Sequence, residues 1–169
     1  MQDTIARYLI NVKDPISARA LQIIINAVAD RLASAMLGSA GIVIFGAASP
    51  NAKTGAVAVY AVSANSLVNI AAATVLTPNT GTTLINTFNV YTFYIDNAGV
   101  ITAGVGVAGT TLGGIVWPNT PQGKAMIGGF TVNPTAASFV GATTALDAAN
   151  TNVVYFSPTG AVDPSILLS

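Results

Sequence analysis

Six aspartates, three lysines and three arginines are the charged side chains of this sequence; histidine, cysteine and glutamate do not occur. Most general acid–base chemistry relies on a histidine or a tuned carboxyl group, and nucleophilic catalysis needs a base beside the nucleophile. A Ser-His-Asp or Cys-His site is therefore excluded by composition. A serine–lysine pairing would have to use Lys53 or Lys124, and nothing in the sequence brings a suitable serine to either. A pair of carboxylates would have to be drawn from aspartates that read as turn residues. Asp96 begins Asp96-Asn97-Ala98-Gly99, Asp147 follows Ala145-Leu146, and Asp163 precedes Pro164. Aspartate is common in turns because its side chain bonds the nearby backbone.

Metal and phosphate chemistry fare no better. Zinc would lack its usual cysteine and histidine ligands. Calcium would want clustered oxygens, whereas Asp96-Asn97 and Asp147 with Asn150 stand apart in the sequence. Gly113-Gly114 and Gly128-Gly129 precede neither a Walker lysine nor a helix start, so they read as bends or close backbone contacts. Aromatic residues do not alternate with basic ones, and the net charge is zero, which gives nucleic acid nothing to grip. The expectation is a protein that is not an enzyme, with no cofactor, no metal and no nucleic-acid partner.

The placement of the charges says more than their total. Asp3, Arg7, Lys13, Asp14, Arg19, Asp30 and Arg31 fall in the first 31 residues; Lys53, Asp96, Lys124, Asp147 and Asp163 serve the other 138. The whole chain is 52% hydrophobic and 7% charged, with a mean hydropathy of +0.65. An ordinary soluble domain is about 25% charged. No run of about 20 apolar residues is present to span a bilayer. The longest candidate, Ala20–Ala29, is broken by Gln22 and Asn26 and closed by Asp30-Arg31. The first residues lack the pattern of a secretory leader, with Asp3 ahead of any basic residue and Lys13-Asp14-Pro15 interrupting the apolar stretch. The absence of cysteine suits a reducing compartment. A body so poor in charge must be wetted by Thr, Asn and Ser, or covered by neighbours, or both.

Two regions must position these residues. Residues 1–38 read as an arm followed by an amphipathic helix, with Asp14 as N-cap, Pro15 at the first helical position and Gly38 as the stop. Leu21, Ile24, Ile25, Val28, Leu32 and Met36 recur at steps of three and four along one face of a helix over about 15–37. That stripe is the candidate partner-contact surface. It could pack on its own domain, or beside its copies or a partner.

Residues 39–169 read as a β-rich body of short strands separated by Gly, Pro and Asn. Expected strands are 41–46, 56–63, 66–75, 84–96, 100–107, 114–117, 125–133 and 152–157. In the run from Phe88 to Ile95 both faces are nearly free of charge, so both could be covered. Asp96 and Gly99 form the structural turn that should close a hairpin between 84–95 and 100–107, with Gly99 at positive φ. The fold expected is mainly β, a β-sandwich or small jelly-roll-like barrel with an N-terminal α-helix. The chain ends in Ile166-Leu167-Leu168, an apolar tail expected to dock on something.

Over residues 84–156 the sequence resembles a group of small virion structural proteins of tailed bacteriophages. The resemblance lies in Phe88-Asn89-Val90-Tyr91-Thr92-Phe93-Tyr94-Ile95-Asp96-Asn97-Ala98-Gly99, in Val116-Trp117-Pro118-Asn119-Thr120-Pro121, in the run from Lys124 to Pro134, and in that from Phe139 to Asp147. It implies a virion component without enzymatic activity: a capsid cement or decoration subunit assembled in the host cytoplasm, with itself and the major capsid protein as partners. Such proteins often occupy threefold positions, which implies a homotrimer. A head- or tail-fibre subunit that binds a receptor or surface glycan is the alternative. Exposed Trp and Tyr at loop tips would favour it, and Trp117 is the sole tryptophan.

Overall fold

The computed structural model describes residues 22–26, 28–29 and 33–159. Residues 22–26 and 28–29 are helical, and the Ala33 N–H donates to the Ala29 carbonyl at 2.9 Å. Everything after this is β-structure and turns, apart from one short 3-10 turn over Leu112–Gly114.

Twelve strands follow in order: β1 (Ala35–Met36), β2 (Val43–Ile44), β3 (Ala52–Lys53), β4 (Val59–Ser63), β5 (Ser66–Ile70), β6 (Val75–Leu76), β7 (Thr82–Thr83), β8 (Asn89–Ile95), β9 (Ile101–Val105), β10 (Ala125–Val132), β11 (Phe139–Val140) and β12 (Val153–Phe156). They form four antiparallel sheets, ordered β1-β4-β5, β12-β10-β8-β9, β2-β3-β6 and β11-β7. The fold is mainly β and sandwich-like, as the strand and turn pattern predicts.

The core lies mainly between β1-β4-β5 and β12-β10-β8-β9. The first contributes Met36, Ala61, Val68 and Ile70; the second contributes Tyr91, Phe93, Ile95, Ile127, Phe130 and Val132. Aromatic rings fill its centre. Tyr91 stacks on Phe130 at 5.2 Å between centroids and meets Phe139 edge-on at 5.3 Å. Offset and edge-to-face pairs of this kind add to the free energy of area burial.

Strand β8 is buried along all seven residues. Tyr91, Phe93 and Ile95 face the core, and Val90, Thr92 and Tyr94 face the other way. The segment after β9 covers that second face. Gly106 N–H donates to the Val90 carbonyl at 2.8 Å, and the Tyr94 hydroxyl donates to the Pro118 carbonyl at 3.3 Å. The charge-free sequence of β8 is what lets a central strand be covered on both sides.

Gly128-Gly129 marks a close approach. The β10–β8 register slips between Met126 and Gly128, and a Cβ on Gly129 would collide with the Tyr91 carbonyl oxygen and the Phe156 ring. Gly113-Gly114, by contrast, lies in the 3-10 turn and not in a strand. The strand expected at 114–117 reduces to a single bridge between Val107 and Val116.

The helix does not reach residue 37, and Gly38 is not its stop. Ala35 and Met36 form β1, paired with Val62 and Ala61 of β4. Met36 is therefore a core residue at 2% exposure, not a member of an outward helical stripe. Its burial between the sheets, together with the Leu37 N–H bond to the Tyr60 carbonyl at 2.9 Å, outweighs continuing the helix. The β-body thus begins at Ala35, ahead of the expected boundary at 38. Leu21 and Leu32 of the stripe, the arm from residue 1, Asp163 and the apolar end Ile166-Leu167-Leu168 lie outside the described residues.

Candidate functional site

Each charged side chain among the described residues is engaged within the chain. Asp96 does turn work: its Oδ1 accepts from the Ala98 N–H at 3.0 Å and the Val100 N–H at 2.9 Å. Gly99 takes φ +81°, its N–H donates to the Asp96 carbonyl at 3.0 Å, and β8 and β9 then pair from Ile95–Ile101 onward. The expected hairpin and both of its turn residues are where the sequence places them. One contact was not legible: the other oxygen of Asp96 lies 3.7 Å from Lys124 Nζ, which also donates to Thr102 Oγ1 at 3.2 Å.

Asp147 Oδ2 accepts from the Ala48 N–H at 2.9 Å and ties together segments 99 positions apart. Lys53 Nζ sits 5.9 Å from the centroid of the Phe45 ring. Burial pushes the Tyr91 and Tyr94 hydroxyls above the usual tyrosine range, against smaller opposing effects of hydrogen bonds to Thr83 and to Thr92 and Thr120. Both phenols are structural hydrogen-bonding groups. The Tyr155 hydroxyl is raised as well, first by burial and then by the charge of Asp147.

The buried Ser63 hydroxyl lies close in the chain fold to Lys124, but it is occupied by backbone. Its Oγ is 2.6 Å from the Gly123 carbonyl and 3.1 Å from that of Ile95, while Lys124 Nζ is turned to Asp96 and Thr102. Among the described residues no three acidic, histidine or cysteine side chains gather as metal ligands, and no helix is long and apolar enough to cross a membrane. Trp117 is half-buried, with its ring edge against Phe156 at 5.3 Å between centroids, neither wholly in the core nor open at a loop tip.

What the surface presents instead is apolar side chains in ordered groups. Strand β4 alternates from Tyr60 onward and β5 from Leu67 onward: Ala61, Ser63, Val68 and Ile70 point inward with Met36 of β1, while Tyr60, Val62, Leu67 and Asn69 lie on the outer face, with Leu37 just after β1 beside Tyr60. Leu37 is 62% exposed, Tyr60 47% and Leu67 66%. Beside them an open hollow of about 380 Å³ is lined by Leu37, Gly38, Ala58, Val59, Tyr60 and Leu67. An antiparallel sheet with one face in water usually carries polar residues there. This one is mostly apolar.

A second group lies on β2-β3-β6, where the register sets Val43, Lys53 and Val75 side by side, with Phe45 next to Lys53. The helix forms a third: Ile24 is 55% and Val28 52% exposed, and Ile25 is half-buried. Of the six stripe residues, then, two are bare, one is partly covered, one is in the core and two lie outside the described residues. Sequence periodicity located the helical stripe but missed the outer sheet face. Its signal was available in the alternation of Val59–Ser63 and Ser66–Ile70, where both phases carry apolar residues.

No protein-family model, no curated protein and no solved structure matches this chain.

Proposed function

We propose that the chain is a non-enzymatic structural subunit of a tailed-phage virion: a capsid cement or decoration protein that self-associates and stabilises the shell by bridging capsid subunits. The observation that carries this reading is the surface. Among the described residues seventeen large apolar side chains are exposed, while the four charged ones, Lys53, Asp96, Lys124 and Asp147, are all engaged within the chain. Contiguous exposed apolar patches mark interaction sites in soluble proteins. A neutral surface of this kind suits a subunit held among many neighbours at high local concentration. The resemblance of residues 84–156 to virion structural proteins supports the same reading and supplies the shell as the partner. Stabilisation needs no bond-making chemistry, because a ligand that binds only the assembled shell shifts the equilibrium toward it.

The test adds the purified chain to undecorated capsids and measures occupancy and the melting temperature of the shell together. Saturable binding with a raised melting temperature is expected. Absence of binding contradicts the cement reading, and binding that leaves the melting temperature unchanged contradicts the bridging mechanism.

A further inference from the structure

Lys53 stands in the middle of an apolar row. The register of β2-β3-β6 turns Ile44, Ala52 and Leu76 toward the core and leaves Val43, Lys53 and Val75 side by side on the other face. Val43, Val75 and the neighbouring Phe45 are each close to half exposed. The ammonium group of Lys53 lies over the Phe45 ring. The two carboxylates among the described residues are committed elsewhere, Asp96 to its turn and to Lys124, and Asp147 to the Ala48 N–H. A half-buried lysine among apolar side chains is best complemented by an acid on a segment that is itself apolar.

The chain leaves the described body beside this row. Ser157 follows β12, and its Oγ accepts from the N–H of Ile42, the residue before β2, at 3.0 Å. Gly128 makes room for this exit: a Cβ there would meet the Phe156 carbonyl oxygen, Ile42 Cδ1 at 2.8 Å and the Ser157 Cα at 3.0 Å. Pro158 is buried. The exit is therefore fixed at the edge of β2. Beyond Thr159 the sequence runs from Gly160 to Ser169; its single charge is Asp163 and its longest apolar run is Ile166-Leu167-Leu168. Fully extended, the chain carries Asp163 up to about 20 Å from Ser157 and Leu167 up to about 33 Å. Neighbouring strands lie about 4.8 Å apart, which puts Lys53 one spacing from Val43 and Val75 two. The whole row is within reach. The sign of the charge fits as well. Residues 1–21 carry Arg7, Lys13 and Arg19 against Asp3 and Asp14, an excess of positive charge that Lys53 would repel.

We infer that residues 160–169 cover the β2-β3-β6 row of their own chain, with Asp163 paired to Lys53 and Ile166, Leu167 and Leu168 laid over Val43, Val75 and the Phe45 ring. The segment is an intramolecular cover. It closes this row within the chain and leaves the helical stripe and the outer face of β1-β4-β5 for neighbours. The inference rests neither on the shell nor on self-association.

The sequence has no cysteine, so introduced thiols report without background. Full-length chains carry Val43→Cys together with Ile166→Cys, Leu167→Cys or Leu168→Cys, and are oxidised gently. Three tail positions are used because a disulfide forms only where the two Cα atoms come within about 7 Å. Gel mobility without reductant separates linkage within a chain from linkage between chains. The expected result is linkage within the chain in at least one variant, at a rate well above that of a control pairing Leu37→Cys with the same tail position. Adding Lys53→Asp should slow that linkage about two- to fivefold, the factor a partly exposed ion pair supplies. Adding Asp163→Lys to Lys53→Asp should restore it. Thermal unfolding of each variant checks that the body is intact, and Val75→Cys replaces Val43→Cys if the latter fails that check. Linkage mainly between chains would overturn the inference in favour of a tail seated on a neighbour. Equal linkage to the Leu37→Cys control, absence of linkage at all three positions, or indifference to the charge at Lys53 would overturn it outright.

Discussion

At the scale of single residues, backbone geometry constrains this protein more than side-chain chemistry does. Gly99 is the clearest case, since φ +81° is a region that β-branched residues scarcely enter. Its Cβ position is open, with only Val68 Cγ1 at 4.0 Å, so any penalty for a side chain there is conformational and not steric crowding by neighbours. Gly99→Val is expected to destabilise the fold by about 1 kcal/mol or more, and Gly99→Asn by less, because asparagine tolerates positive φ. Urea titrations of the three proteins check this, and equal midpoints would remove the turn assignment. This turn was legible in the sequence because its determinants are local: an aspartate whose side chain bonds the next residues, and a glycine three positions on. Asp147 was not legible in the same way. Its partner, the Ala48 N–H, is distant in sequence and is brought near only by the completed fold.

At the scale of elements, the same division between local and distant causes decides what could be read. The long strands β8 and β10 announce themselves by their own apolar runs. The two-residue strands β3, β7 and β11 do not, because Ala52-Lys53, Thr82-Thr83 and Phe139-Val140 are strands only by virtue of their partners. Met36 shows how a periodic pattern misleads. It stands four residues after Leu32, in step with the helical stripe, yet it belongs to a strand whose burial is settled by β4. The consequence is measurable. Met36→Ala should cost about 2–5 kcal/mol of stability, the usual range for a large side chain removed from a core. A residue on an exposed helical face would cost within about 0.5 kcal/mol. Thermal or urea unfolding of the variant separates these, and a near-neutral result would return Met36 to the helix. It follows that a truncation meant to remove the helix must spare Ala35 and Met36, since a cut at 38 would strip β1 from the core.

At the scale of the whole molecule, the distribution of charge and the distribution of exposed apolar groups point the same way. The described body satisfies its four charges internally and leaves three ordered apolar groups open: the helical stripe, the outer face of β1-β4-β5, and the row across β2-β3-β6. Burial of apolar surface contributes roughly 25 cal/mol per Å² removed from water. Covering the helical stripe and the outer sheet face by copies is therefore a strong driving force for association, limited by the freedom lost on binding. The central physical claim is that these two faces are covered by other copies of the chain. Multi-angle light scattering after size exclusion, on the intact protein at micromolar concentration, tests it most directly. The account predicts a mass that is a multiple of the 17.0 kDa chain, with three copies expected under the proposed cement role. A stable species at the mass of one chain would contradict it.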